Sequence, residues 1–240
     1  MARLFGVGVG PGDPELTTIK ARRVIAASAV IAYFAAQRSR GNGLTVIEPL
    51  ITESHELVRF TYPITTEAVG HATYEKTMAD FYDASASILA SHLEDGRDVA
   101  VICEGDPFFY GSYMYIHQRL ATRFPTEVIP GVTSFAAASA AAGRPLVAMN
   151  ETLTILSGVL PPKQLRKALA GTDAAVVMKV GRNLSAVRDA ARACGLASDA
   201  VYVEWASHEN QRILPLLETD DIDAPYFSLV LIPGTHITSR

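Results

Sequence analysis

The sequence predicts an α/β protein of two domains, the first on a mainly parallel sheet, the second on a mixed one, with a cleft between them. Three observations carry this. Short apolar runs of strand length alternate with helical segments through the first half, the pattern of crossovers that build parallel sheets. In the second half the alternation loosens, and strand candidates at 200–205, 212–217 and 227–232 follow one another with no helix between them. Glycine-rich turns close several strands, at the end where open α/β sheets hold their ligands. The boundary falls in 123–130, giving domains 1–125 and 126–240. No low-complexity linker separates them, so two closely packed halves are expected.

The elements follow in order. Residues 4–9 form a buried strand that ends in glycines. Pro14 opens a helix with Glu15 in its first turn, where a carboxylate suits the helix dipole, and the helix runs through Ile19, Arg23 and Ala26. Residues 29–34 and 57–62 are the next two strands. Residues 71–95 form the longest helix, with Met78, Phe81, Tyr82, Ile88, Leu89 and Leu93 on one face and Asp95-Gly96 as its stop. A strand at 99–103, a helix at 110–122 and a short strand at 127–129 come next. An alanine-rich helix follows, which Thr133 or Ser134 can cap. Strands at 152–156 and 174–180 and helices at 162–169 and 184–194 lead into the final strands.

Composition removes several function classes. Hydrophobic residues make up 49% and charged residues 19%, a globular balance. A net charge of -4 argues against a nucleic-acid partner, which calls for a basic excess. Cys103 and Cys194 make no disulfide framework, and the scattered histidines show no metal-ligand spacing, so no metal is expected. The longest uncharged apolar stretch near the N-terminus, 24–37, falls short of the roughly 20 residues a membrane crossing needs. The N-terminal apolar run is too short for a signal core. A soluble, cytoplasmic protein is expected.

Three loops draw the chemistry. Residues 6–14 read Gly-Val-Gly-Val-Gly-Pro-Gly-Asp-Pro and close the first strand. A dinucleotide fingerprint needs G-x-G-x-x-G, and the third glycine is missing in every register: the sixth position is Pro11, Asp13 or Glu15. The acidic residue expected about 20 positions later is absent as well. The remaining readings are a tight turn, or a backbone that something large approaches closely. Residues 104–111 read Glu-Gly-Asp-Pro-Phe-Phe-Tyr-Gly and follow a second buried strand. Asp106 is either a ligand group or the start of a type I turn. Residues 130–134 open a helix, which their hydroxyls either cap or adapt for ligand binding.

Together and in this order, residues 7–17, 105–111 and 130–134 resemble the signature loops of the tetrapyrrole methylase family, the class III S-adenosylmethionine-dependent methyltransferases. The likeness covers essentially the whole chain. Further segments bear on which branch of the family is resembled: 62–67, 104–113, 178–183 and 224–234.

The resemblance implies a set of roles. The methyl donor, S-adenosylmethionine, would lie against Gly105, Asp106 and Phe108, with Thr133 and Ser134 beside it. Val180, Ala206 and Pro225 occupy positions similar to the family's adenine-side contacts, although small apolar residues at strand ends also serve as plain core. Gly10, Pro11, Gly12 and Asp13 would form the wall for the tetrapyrrole, a wide flat ring that glycines let approach the backbone. Its carboxylates would meet basic side chains: Lys179 and Arg182 first, then Arg59, Arg144 and Arg212. A nucleophilic meso carbon would displace the sulfonium methyl in line. Asp106, Asp13, Glu104 and Tyr110 are the candidates for removing the proton that must then leave, and none is expected to be indispensable. The family implies a homodimer. Alternatives are a sister methylase acting on another tetrapyrrole, a ligand-binding protein of the same fold without turnover, and a dinucleotide oxidoreductase.

Overall fold

The computed structural model describes residues 2–65, 70–219 and 223–234. The chain divides into two compact units, Met1–Thr133 and Ser134–Arg240.

The first unit contains, in order, β1 (Leu4–Gly8), α1 (Ile19–Ala27), β2 (Val30–Ala35), α2 (Asn42–Ile47), β3 (Glu56–Thr61), α3 (His71–Glu94), β4 (Val99–Cys103), α4 (Tyr113–Leu120) and β5 (Thr126–Ile129). Its five strands form one sheet in the order β3-β2-β4-β1-β5, and every pair is parallel. β4, Val-Ala-Val-Ile-Cys, is buried throughout, as a central parallel strand must be. One face of the sheet packs Val7, Val9, Ile31 and Ile102 against Ala21 and Ile25 of α1 and Leu44 and Ile47 of α2. The other packs Leu4, Val30 and Val101 against Tyr82, Leu89 and Leu93 of α3 and Tyr113, Ile116 and Leu120 of α4. The chain leaves β1 toward one face and β4 toward the other. These adjacent strands are therefore the switch point of the sheet, where an open α/β sheet forms its crevice.

The second unit contains α5 (Ser134–Ala141), β6 (Leu153–Ser157), α6 (Pro162–Leu169), β7 (Ala174–Met178), α7 (Leu184–Ala193), β8 (Val201–Glu204), β9 (Arg212–Pro215) and β10 (Ser228–Ile232). Its sheet runs β6-β7-β10-β8-β9; only β6 and β7 pair in parallel. Leu165 and Leu169 of α6 and Leu184, Val187 and Ala191 of α7 cover one face. The mixed sheet matches the expectation from the loosened alternation.

Local differences have clear causes. Pro14 opens only a 3-10 turn, Pro14–Leu16, and α1 starts later, where the Thr18 hydroxyl accepts a hydrogen bond from the Ala21 amide at 3.1 Å. The six-residue α2 carries too little periodicity to announce itself. On α3, Ile88 is 47% exposed, while Met78, Tyr82, Ala86, Leu89 and Leu93 form the buried stripe. The domain boundary set at 125/126 moves to Thr133/Ser134, because β5 pairs with β1 from Leu4–Thr126 to Val7–Ile129 and so belongs to the first sheet. No helix among the described residues is long and apolar enough to cross a membrane.

Candidate functional site

The register of the first sheet brings the three signature loops to one edge. Gly8 stands beside Cys103, and Val7 beside Ile129, so residues 9–13, 104–111 and 130–133 leave three adjacent strand ends. The loops then pack backbone on backbone. The Gly105 amide donates to the Gly10 carbonyl at 2.8 Å, an isolated antiparallel bridge. A side chain at Gly8 would come within 2.6 Å of both the Gly105 carbonyl oxygen and the Gly131 nitrogen, and one at Gly131 would run into the same carbonyl. Gly105 itself has φ +63, a conformation that favours glycine.

This changes the physical reason for the first loop's glycines. Gly6, Gly8 and Gly10 are buried, and the space their missing side chains leave is filled by the Tyr113 ring, by Gly105 and Gly131, and by Leu16. The close approach is of the chain to itself. Of the expected acceptor wall, Pro11, Gly12 and Asp13 are partly exposed, whereas Gly10 is covered. Asp13 caps the 3-10 turn, its Oδ1 accepting from the Glu15 amide at 2.8 Å. Thr17 holds that turn to the strand end, donating to the Val9 carbonyl at 2.8 Å.

Asp106 ties the second loop to the third. Its Oδ1 accepts from the Phe108 amide at 2.9 Å and its Oδ2 from the Gly131 amide at 3.1 Å. The Phe108 ring turns onto α4, stacked over Tyr113 at 5.9 Å and edge-on to His117 at 5.0 Å. Tyr110 is exposed with φ 56, a strained backbone for a non-glycine residue. Thr133 is half-buried at the end of this unit.

Glu104, the residue between β4 and the second loop, is largely buried. Its Oε1 accepts from the Gly43 amide at 3.1 Å. Burial pushes its carboxyl up to about 7, against the smaller opposing effect of that hydrogen bond. Beyond it, the Ser112 hydroxyl bonds both the Tyr62 hydroxyl at 2.5 Å and the Tyr82 hydroxyl at 3.0 Å. Burial raises the Tyr62 phenol, and lifts Tyr82 and the free Cys103 thiol each to about 12.

In the second unit, β10 runs antiparallel between β7 and β8. Its first residues therefore lie against the carboxyl ends of both strands: Leu229 pairs with Met178, and Ser228 with Glu204. Ser228 donates to the Pro225 carbonyl at 2.7 Å and accepts from the Gly181 amide at 3.2 Å, and the Trp205 amide donates to the Phe227 carbonyl at 2.8 Å. The segments that carry Val180, Ala206 and Pro225 thus share one sheet edge. Lys179, Trp205 and Ser207 there have φ of 57, 49 and 66, so both turns are strained. Trp205 packs on His208 and Phe227. Ser134 begins α5. Lys179 and Arg182 are exposed, and partial desolvation lowers the Lys179 ammonium. Two other basic candidates are engaged elsewhere: Arg59 donates to the carbonyls of Ala36, Gln37 and Ser39, and Arg212 faces Glu204 at 3.8 Å.

The sequence reading missed Gly43, Ser112 and Ser228. Ser228 opens an apolar strand, a weak sign of a polar junction; Gly43 left no signal. Thr66 and Glu67, part of one segment of the resemblance, lie outside the described residues. No group of three His, Cys, Asp or Glu side chains that could hold a metal ion occurs among the described residues.

Comparisons with known proteins identify the family. A family profile described as Tetrapyrrole (Corrin/Porphyrin) Methylases matches residues 3–220. A precorrin-2 C(20)-methyltransferase of Sinorhizobium sp is 48% identical over 98% of this chain and 96% of its own length. A cobalt-precorrin-2 C(20)-methyltransferase of Salmonella typhimurium is 28% identical over 96% of this chain and 95% of its own. The uroporphyrin-III C-methyl transferase from Thermus thermophilus, solved with S-adenosyl homocysteine, superposes with a TM-score of 0.67 at 25% identity, covering 100% of both chains.

Proposed function

The chain belongs to the tetrapyrrole methylase family and is a methyltransferase, and on that premise we propose that it transfers the methyl group of S-adenosylmethionine to C-20 of precorrin-2, forming precorrin-3A in cobalamin biosynthesis. The observation that carries the substrate is the 48% identity, nearly end to end, to a precorrin-2 C(20)-methyltransferase, against 28% to the enzyme named for the cobalt complex.

The residues suit such a donor. Val180 and Ala206 are buried and Pro225 is half-buried at one sheet edge, so an adenine ring seated there would meet small apolar residues. The glycine backbone at 105–111, with Asp106 and Phe108, suits the ribose and amino-acid portions, with Thr133 and Ser134 alongside. The donor supplies an electrophilic sulfonium methyl. The chain's task is to hold the acceptor carbon in line with it and exclude water, a class of effect worth on the order of 7–11 kcal/mol. Asp106 serves this by fixing the second loop on the third, not by moving a proton. Pro11, Gly12 and Asp13 form the acceptor side beside the buried Gly10, and Lys179 and Arg182 meet its carboxylates. The protein works in the cytoplasm as a homodimer, without a metal of its own; light scattering checks the assembly.

The test is incubation with S-adenosylmethionine and precorrin-2, with and without cobalt, followed by mass spectrometry. The expected product is heavier by one methyl group. Methylation of the cobalt complex alone moves the reading to the cobalt sister. Two methyl groups added to uroporphyrinogen III point to another sister. No methylated product from any tetrapyrrole, with donor binding intact, leaves a binding protein of this fold.

A further inference from the structure

Asp106, Asp13, Tyr110 and Glu104 are the candidate proton acceptors, and the structure separates them by what each already does. Asp106 spends both carboxylate oxygens on backbone amides. Asp13 caps a turn. The Tyr110 phenol is exposed on a strained loop. Glu104 differs from all three. It stands at the carboxyl end of β4, the central strand at the switch point, immediately before Gly105. One oxygen, Oε1, is fixed by the Gly43 amide. The other, Oε2, makes no hydrogen bond within the described residues, and it is not one of the sealed polar atoms among them. Among the described residues no cation contributes to its electrostatics. The titratable groups that interact with it among the described residues are Tyr62 and Cys103; burial keeps the phenol and the thiol neutral through the physiological range. This is a carboxyl held in place by one oxygen, with the other left available.

We propose that Glu104 is the base that removes the proton from the methylated acceptor carbon, acting through Oε2 while Gly43 fixes Oε1. The assignment rests on the methyltransferase reading above and revises, for Glu104 alone, the expectation that none of the four candidates is indispensable. The step balances. The meso carbon gives an electron pair to the methyl carbon as the methyl–sulfur bond breaks, and that bonding pair stays on sulfur to leave S-adenosylhomocysteine. The C–H bond of the methylated carbon then breaks. Its electron pair returns to the macrocycle, and the proton passes to Oε2 and from there to water. No oxidant or further reactant is required. A carboxyl that titrates near neutrality is well matched to this work, because general bases are most effective with a pKa near the operating pH.

Glu104→Gln tests this, since the amide oxygen still accepts from Gly43 but the side chain no longer takes a proton. Three quantities are compared with the wild type: S-adenosylhomocysteine binding by calorimetry, single-turnover methylation of precorrin-2 between about pH 5.5 and about 8.5, and the same turnover with the meso position deuterated. Donor-product affinity is expected to stay within about twofold, while turnover at about pH 8 falls by on the order of a hundredfold. The rise in rate near pH 7 should vanish, and a deuterium isotope effect should appear in the variant. Glu104→Asp should recover part of the rate together with the pH limb. A Glu104→Gln protein that turns over within about threefold of wild type, or one that keeps the same pH limb at any rate, overturns the assignment. So does a rate loss that merely tracks lost binding. A wild type that leaves precorrin-2 unmethylated counts against the substrate reading instead, and the comparison then runs on whichever tetrapyrrole is methylated; if none is, both fall.

Discussion

Replacing Glu104 by glutamine should change how the stability of the first unit depends on pH, independently of any activity. Burial lifts this carboxyl from its ordinary 4.5 to about 7. A folded-state value above the unfolded one means that the folded protein binds the proton more tightly. The stabilisation from holding that proton is complete below about 4.5, declines as pH rises through the window, and is gone above about 7. The gap, 7 minus 4.5, at about 1.4 kcal/mol per pH unit, makes the total change about 3.5 kcal/mol. Glutamine keeps the acceptor for the Gly43 amide and has nothing to titrate. The wild-type protein should therefore lose about 3.5 kcal/mol relative to Glu104→Gln between about pH 4.5 and about 7.5. Urea titrations followed by circular dichroism at several pH values measure this difference directly. Two other carboxyls, Glu56 beside Arg97 and Glu127 beside Lys20, are held below the usual range by those cations, so they finish titrating under the window and cancel in the subtraction. A wild-type-minus-variant difference that stays flat within about 0.5 kcal/mol across the window would refute the buried, uncompensated carboxyl and with it the tuning that makes Glu104 a base.

Asp106→Asn should cost about 1–3 kcal/mol in denaturant stability, because one of the two amides it holds loses a charged acceptor. S-adenosylhomocysteine affinity should fall about tenfold by calorimetry while turnover at saturation persists; normal donor binding with no turnover would show instead that Asp106 is itself a base. Gly131→Ala drives a methyl group into the Gly105 carbonyl and to 2.9 Å from the Gly8 Cα, so the stacked loops must separate. A loss of at least ~2 kcal/mol in thermal unfolding, with donor binding abolished, is expected. Ser228→Ala leaves the Gly181 amide without its acceptor and the Pro225 carbonyl without its donor. It should cost about 1–2 kcal/mol and weaken donor binding roughly fivefold, and unchanged binding would remove Ser228 from the adenine-side edge.

What could be read in advance, and what could not, divides along a physical line. β4 and α6 fall at the bounds expected for them, because a run of buried branched residues and an amphipathic segment led by Pro162 each carry their own signal over several residues. Pro14 misled, since a proline with an acidic neighbour starts a 3-10 turn as readily as an α-helix, and the Thr18 hydroxyl decides where α1 begins. Ile88 misled because apolarity alone does not choose a face. At the candidate site, the order of the three loops was legible, but the reason for their glycines was not. A missing side chain looks the same in the sequence whether a ligand or another loop takes its place, and only the register of β1 against β4 and β5 shows that Gly8 and Gly131 make room for Gly105. That distinction bears on where chemistry can reside. The motif's glycines, together with Asp13, Thr17 and Asp106, bind the loops to one another and to the strand ends, so substituting any of them perturbs structure before it perturbs reaction. A catalytic group has to be sought among side chains that this scaffold holds without using up. Glu104 meets that condition through Gly43, a partner sixty-one positions away on a helix with no sequence signature.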